Sequence, residues 1–356
     1  MKKIIVYCCF IILIACKSPD SLVIDEIINT EKILSIKGAD MSYLPEIRQS
    51  GITFYNQNNQ PEDMLLTLKK AGVNVIRLRI WKNPAEPNSN FLSVKNLSNE
   101  IKNLGMEVMI TVHYSDTWAD PSQQTKPNQW QNIPFNQLKD SVYNYTKKIV
   151  TEINPKYIQI GNEINNGLLW NEGNIANLSQ MKQLLEQGIR GVRNINNTTK
   201  IIIHFAGFDN ASFFYQNITD LDYDIIGLSY YPMWHGKDLE QLKQSLNNLS
   251  SFYNKPIFIA ETSYPFTFDW NDWTNNVVGM NSQILPAYPA TPQGQKDYLN
   301  KIKAIIKDVP KGIGFCYWGS EFVSYKGNTA TNGSSYENQA FWDFNNKSLP
   351  VLECYR

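Results

Sequence analysis

The sequence predicts an α/β chain folded as a single (β/α)8 TIM barrel over residues 33–356. Three observations predict it. Eight short apolar runs alternate along the chain with helix-like stretches. Most runs are continuous Val/Ile/Leu stretches, which suits parallel strands covered on both faces. Nearly every run also ends in a polar or aromatic residue, and the C-terminal ends of barrel strands are where such a fold gathers reactive groups.

The first sixteen residues stand outside this pattern. Met1-Lys2-Lys3 is basic, and residues 4–15 form an apolar run too short to span a bilayer as a stable helix. Leu13-Ile14-Ala15-Cys16 resembles a bacterial lipobox. That resemblance implies cleavage before Cys16 and lipidation of its thiol and new amino terminus; an ordinary signal peptide or an uncleaved anchor is the alternative. Residues 17–32 then read as a tether. Lys17 after the cysteine favours the outer membrane, so the expected location is a bacterial cell envelope, reached through a lipid anchor alone.

The strands are expected at 36–40, 74–80, 107–113, 157–163, 200–205, 225–231, 256–262 and 312–318. Between them, Pro61-Glu62-Asp63 opens a helix whose apolar face is Met64, Leu65, Leu68 and Ala71, with Gly72 at its end. Further helices are expected over 94–104 (closed by Gly105), 135–153 (stopped before Pro155), 178–195, 238–252 and 292–306. The helix after Phe205 is short. A doubly wound open sheet fits less well, because no glycine-rich phosphate turn follows the first run.

Composition sets the class of partner. With 42% hydrophobic and 19% charged residues the chain has ample material for a core. Its formal net charge of zero recommends neither a nucleic acid nor a polyanion. Nine Trp and nineteen Tyr suit large cores or sugar-stacking surfaces. Once the leader is removed and Cys16 is lipidated, Cys316 and Cys354 remain, as a disulfide or as two buried thiols. A zinc site is not expected, for want of ligand spacing.

The strand ends supply Asp40, Arg79 with Trp81, His113, Glu163, His204, Tyr231, Glu261 and Trp318. Glu163 follows strand 4 and Glu261 follows strand 7. Two opposed carboxylates are what glycoside hydrolysis needs: one protonates the leaving oxygen, the other attacks the anomeric carbon or activates water. A glutamate at a strand end can also serve a salt bridge to a neighbouring helix, but the polar ends around these two argue for a shared pocket. Asn162 offers an amide to a sugar 2-hydroxyl. Arg77 and Arg79 lie on one side of strand 2, since side chains alternate. A carboxylate nucleophile would pair such a guanidinium and have its pKa lowered, while the acid needs a setting that raises its own. Trp118, Trp170 and Trp318 are expected to face ligand, and His204 reads as a structural histidine.

Several motifs carry a resemblance. They are Gly38-Ala39-Asp40-Met41-Ser42, Arg77-Leu78-Arg79-Ile80-Trp81, the run from His113 to Pro121 containing Asp116 and Trp118, Gly161-Asn162-Glu163, Gly227-Leu228-Ser229-Tyr230-Tyr231-Pro232, and Glu337-Asn338-Gln339-Ala340. Together they resemble the endo-β-1,4-galactanases of glycoside hydrolase family 53, from about residue 36 to 350. The resemblance implies a retaining hydrolase acting on β-1,4-galactan, including the pectic galactan side chains of type I arabinogalactan. It matches Glu163 to the acid/base and Glu261 to the nucleophile. Asp40, Arg77, His113, Asp116, Trp118, Asn162, Trp170, Tyr231 and Trp318 are the expected substrate-binding set. No cofactor is required for the chemistry, and a monomer is expected. Two rivals remain: the same mechanism on mannan or glucan, and a non-catalytic surface glycan-binding lipoprotein, which should have lost one carboxylate.

Two features depart from the family pattern. The family usually has Trp-Glu-Pro after strand 8, where this chain has Trp318-Gly319-Ser320-Glu321. Bacterial members often bind calcium in the loops after strands 7 and 8. Here Asp269, Asn271, Asp272 and Asn275 offer oxygen ligands of the right hardness, without a matching spacing. A structural calcium or a loop held by turns are the two readings.

Overall fold

In the computed structural model, which describes residues 32–356, eight parallel strands close into a barrel in sequence order. They are β1 (Ile36–Asp40), β2 (Val75–Ile80), β3 (Glu107–Val112), β4 (Tyr157–Ile160), β5 (Lys200–Ala206), β6 (Ile225–Ser229), β7 (Ile257–Thr262) and β8 (Gly312–Tyr317), with β8 pairing back onto β1. The leader, Cys16 and the tether up to residue 31 lie outside the described residues.

The strands stop short of their expected ends after β3, β4, β6 and β8. At β3 and β4 the reason is local. Tyr114, Gly161 and Glu163 have φ of 51°, 85° and 46°, so the chain leaves the ladder where the polar residues begin.

The connecting helices are α1 (Leu44–Gln49), α2 (Met64–Ala71), α3 (Phe91–Asn103), α4 (Phe135–Ile153), α5 (Leu178–Arg193), α6 (Ala211–Gln216), α7 (Pro232–His235), α8 (Leu239–Phe252) and α9 (Pro292–Asp308). Their starts follow capping chemistry. Asp63, Asn90, Asp238 and Thr291 each accept a backbone N–H of the first turn. The short α1 and α7 were not expected; each begins with proline in its first turn and is too brief to show a period.

Period-two alternation divides the strand residues between two cores. Ile76, Leu78, Ile80, Ile158, Ile160, Leu228, Ile257 and Ile259 face the helices. Ile36, Val75, Met109, Tyr157, Ile202, Phe258 and Cys316 plug the barrel interior. Two residues further along several strands, on the same inner face, stand Arg77, Gln159 and His204, all buried. The plug thus forms an apolar floor, and a polar layer lies between it and the mouth. Cys316 belongs to that floor, while Cys354 lies in a C-terminal turn with its Sγ against Lys296 O. Both are free thiols, so the disulfide alternative falls.

Candidate active site

The mouth of the barrel holds a cleft of about 510 Å³, lined by residues from most of the strand ends. Two local distortions bring its carboxylates together. At the end of β4, strict alternation would send Asn162 and Glu163 to opposite faces. Gly161 breaks the alternation with its positive φ, and a Cβ there would meet Ile164 Cγ2 at 2.5 Å. Glu163 follows in the left-handed region, a conformation costing on the order of 1–3 kcal/mol for a non-glycine residue. Asn162 and Glu163 therefore both line the cleft.

On β7, Phe258 and Ala260 face the interior, so alternation would turn Glu261 outward. Instead the register slips: Leu228 pairs with Ile259, but Ser229 pairs with Glu261. This bulge re-aims Glu261 into the mouth.

Arg77 is the hub beneath both. Its Nε donates to Gln159 Oε1 (2.7 Å) and Nη1 to Asp40 Oδ2 (3.0 Å), while Nη2 donates to Asn162 Oδ1 (3.0 Å) and Glu261 Oε1 (2.6 Å). Tyr231 donates its hydroxyl to Glu261 Oε2 at 2.9 Å. Glu261 is thus fixed through both oxygens by donors. Glu163 has a different neighbour: Ser229 Oγ lies 2.5 Å from its Oε1.

A carboxylate oxygen of Glu163 lies within 4.8 Å of one from Glu261, with His204 in the same group. Burial first, and then the nearby charge of Glu261, push Glu163 up to about 8. Burial also raises Glu261, contrary to the lowering expected from Arg77, but Arg77 and Tyr231 oppose the rise. Of the two, Glu163 holds the proton. His113 and His204 are driven well below the ordinary histidine range, chiefly by burial, and are neutral. The Ala119 N–H donates to His113 Nδ1, which leaves the proton on Nε2.

Nine of the expected residues meet in this cleft: Asp40, Arg77, His113, Trp118, Asn162, Glu163, Tyr231, Glu261 and Trp318. Asp116 and Trp170 do not line it. Asp116 accepts the Asn128 N–H, and the Trp170 indole donates to Asn166 O, so both brace loops. Asp120, Trp234 and Tyr336 line the cleft without having been anticipated. Asp120 sits in the same motif run as Asp116, and its Asx turn onto Ser122 and Gln123 fixes that part of the loop. His204, read as structural, contacts Ser229 and Asn162 directly beneath the acid.

The rim carries the two departures. Glu321 is buried and its Oε1 accepts the Tyr43 N–H; burial, then the charge of Asp40, raise it well above the carboxylate range. Trp318 keeps its place against Trp118 and Tyr336, so the platform survives the altered loop.

Two of the expected calcium ligands, Asp269 and Asp272, have carboxylate oxygens engaged within the loops after β7 and β8. Calcium takes six to eight oxygens at close range. The Asp272 carboxylate is already spent on Thr274 N–H, Ser324 Oγ–H and Ser334 N–H, and Asp269 turns back onto Thr267. Asn271 offers its N–H to Glu337, and the next residue after Asn275 folds its amide onto Asp269 O. The loop is held by turns and by Glu337 and Asn338, which bond the loop after β7 from the segment after β8.

Residues 36–355 match the family model described as Glycosyl hydrolase family 53. The chain is 32% identical to the endo-beta-1,4-galactanase of Bacillus subtilis, covering 90% of this chain and 85% of the relative. It is 33% identical to the arabinogalactan endo-beta-1,4-galactanase of Cellvibrio japonicus, covering 88% and 89%. The solved structure of the Ignisphaera aggregans GH53 catalytic domain superposes with a TM-score of 0.87 at 34% identity, over 92% of this chain and 97% of that one. With a barrel closed in sequence order and two facing carboxylates at its mouth, the chain belongs to glycosyl hydrolase family 53.

Proposed function

We propose that this enzyme hydrolyses internal bonds of β-1,4-galactan with retention, using Glu163 as acid/base and Glu261 as nucleophile. The observation that carries the reading is a pair of carboxylates facing each other across the mouth, with one oxygen of each within 4.8 Å of the other. Retaining enzymes hold them about 5–5.5 Å apart, whereas inverting enzymes need about 6.5–9.5 Å to admit a water. In the first step Glu261 attacks the anomeric carbon as Glu163 gives its proton to the departing O4. In the second, Glu163 takes a proton from water, which displaces Glu261. Arg77 and Tyr231 keep Glu261 ionised and aimed, and Asn162 faces the sugar 2-hydroxyl. The neutral His113 is a donor from Nε2 toward the bound sugar, and Trp318 carries the flat face of the ring. Side chains and one water supply every group in the cycle, which needs no cofactor.

The substrate assignment rests on family membership and on the named activities of the relatives. Digestion of linear β-1,4-galactan tests it: a ladder of oligosaccharides with the β-anomer appearing first is expected. Untouched galactan beside cleaved mannan or cellulose would overturn the substrate, and an α-anomer first would overturn the mechanism. The Leu13–Cys16 run supports a lipid-anchored envelope location. Replacing Cys16 by Ser should move the enzyme from the membrane fraction to the soluble one.

A further inference from the structure

Beneath Glu163 lies a ring of hydrogen bonds that starts and ends on that residue. The Glu163 N–H points at His204 Nδ1 (3.4 Å), His204 Nε2 lies 2.9 Å from Ser229 Oγ, and Ser229 Oγ lies 2.5 Å from Glu163 Oε1. His204 and Ser229 are fully buried, from adjacent strands β5 and β6. A neutral imidazole carries one N–H and a hydroxyl one proton, so the direction of each bond fixes the next.

Two directions are conceivable. If Nδ1 carried the proton it would donate to Asn162 Oδ1 at 3.2 Å. Ser229 would then donate to Nε2, and the acid's proton would have to sit on Oε1, toward the wall. But Asn162 Oδ1 already accepts from Arg77, whereas among the described residues the Glu163 N–H has no acceptor but His204 Nδ1. An orphaned buried amide costs about 1–3 kcal/mol. The accounting therefore runs the other way: Glu163 N–H to Nδ1, Nε2–H to Ser229 Oγ, and Ser229 O–H to Oε1. With Oε1 occupied as an acceptor, the acid's proton has one place left, Oε2.

We infer that His204 and Ser229 are positioning residues that confine the catalytic proton of Glu163 to the oxygen not tied to the barrel wall. They touch no substrate and act through Glu163, so the inference rests on Glu163 being the acid. When that proton passes to the departing O4, Oε1 keeps its Ser229 bond and the ring needs no rearrangement. Water returns the proton to the same oxygen in the second step. The other charged and titratable groups facing Glu163 are Glu261 on β7, Arg77 on β2, Asp120 after β3, Tyr231 and His235 after β6, and Tyr336 after β8. None of them is hydrogen-bonded to Oε1, and so Ser229 is the group that occupies it.

The test compares two substrates in the full enzyme. Galactan has a poor leaving group and needs the acid; a dinitrophenyl β-galactoside does not. Ser229→Ala should lower kcat on galactan by on the order of ten- to a hundredfold, a share of what general acid catalysis supplies. KM on galactan should hold, and kcat/KM on the dinitrophenyl substrate, which reports its first step, should stay within about twofold. The alkaline limb of the galactan profile should move up, because the hydroxyl that stabilises the ionised carboxylate is gone. Ser229→Thr should restore most of the rate. Nitrogen-15 NMR of His204 should show the proton on Nε2. Equal loss on both substrates, no loss on either, or a proton on Nδ1 would each overturn the inference. Glu163→Ala is the control, read in kcat/KM, which reports the first step and leaves out its role as base in the second: if it spares galactan or lowers kcat/KM on both substrates alike, the assignment of Glu163 as the acid has failed.

Discussion

Glu163 and Glu261 are the same side chain at two strand ends of one barrel, yet their surroundings differ at every contact. Glu261 meets a guanidinium and a phenol through both oxygens, and both donors favour the anion. Glu163 meets one serine hydroxyl backed by a neutral histidine, with the charge of Glu261 across the gap. Burial raises both. The cation beside Glu261 decides which of them ionises. One fixed charge, Arg77, therefore divides a symmetric pair into a nucleophile and an acid.

Removing one member at a time breaks that division most sharply. Glu261→Gln should abolish turnover of every substrate, by at least about 10⁴-fold, because no covalent intermediate forms. Glu163→Gln should cost on the order of 10²–10⁴-fold on galactan, with the dinitrophenyl substrate largely spared in its first step. A loss of equal size on both substrates would mean that the two roles are not separate. The kcat/KM values on the two substrates, which report the first step alone, read both outcomes.

Smaller changes sharpen the comparison. Arg77→Lys keeps the charge but cannot span four acceptors on β1, on and just after β4, and on β7. It should lower kcat on the order of a hundredfold and move the acidic limb upward, as Glu261 loses the partner that favours its anion. Tyr231→Phe removes a single donor from Oε2 and should do the same on a smaller scale, about tenfold in kcat. An acidic limb that moved down in either variant would contradict the assignment of Glu261 as the ionised member.

Stability gives a separate readout, and its sign follows from linkage. Glu163 in the folded state titrates near 8, above its ordinary 4.5, so the folded protein binds more protons than the unfolded chain between those values. Its contribution is fully present below about pH 4.5 and is lost as pH rises through about 8. Glu163→Gln does not titrate. The Tm of the parent should therefore fall relative to the variant across that window and run parallel to it on either side. Thermal unfolding across pH measures this directly.

How much of this the sequence discloses depends on which physical signal carries it. Alternation along β2 puts Arg77 and Arg79 on one face, and the eightfold run pattern puts Glu163 and Glu261 at strand ends; both survive in the structure. Alternation along β7 misleads, because Phe258 and Ala260 point inward and Glu261 follows them only through a bulge. A bulge depends on cross-strand register, which no local period contains. The same holds for His204. Its place at the end of a run is legible, but its link to the acid runs through Ser229, a partner fixed only when β5 pairs with β6. Asp116 and Asp120 share one loop, and the choice of which faces the cleft is made by turns and by contacts to residues such as Asn128. Trp170 fails for a similar reason, since an indole N–H can be satisfied by a loop carbonyl as well as by a sugar.

Carbon-13 NMR titration of the two glutamate carboxyls, in the parent and in Glu261→Gln, tests the division most directly. Glu163 should titrate near 8 in the parent, with Glu261 ionising below it. In the variant Glu163 should fall, because the neighbouring charge that helps raise it has been removed, while its burial keeps it above an ordinary carboxyl. A Glu163 that titrates at the same pH in both proteins, or a parent in which Glu261 is the later to ionise, would contradict the account.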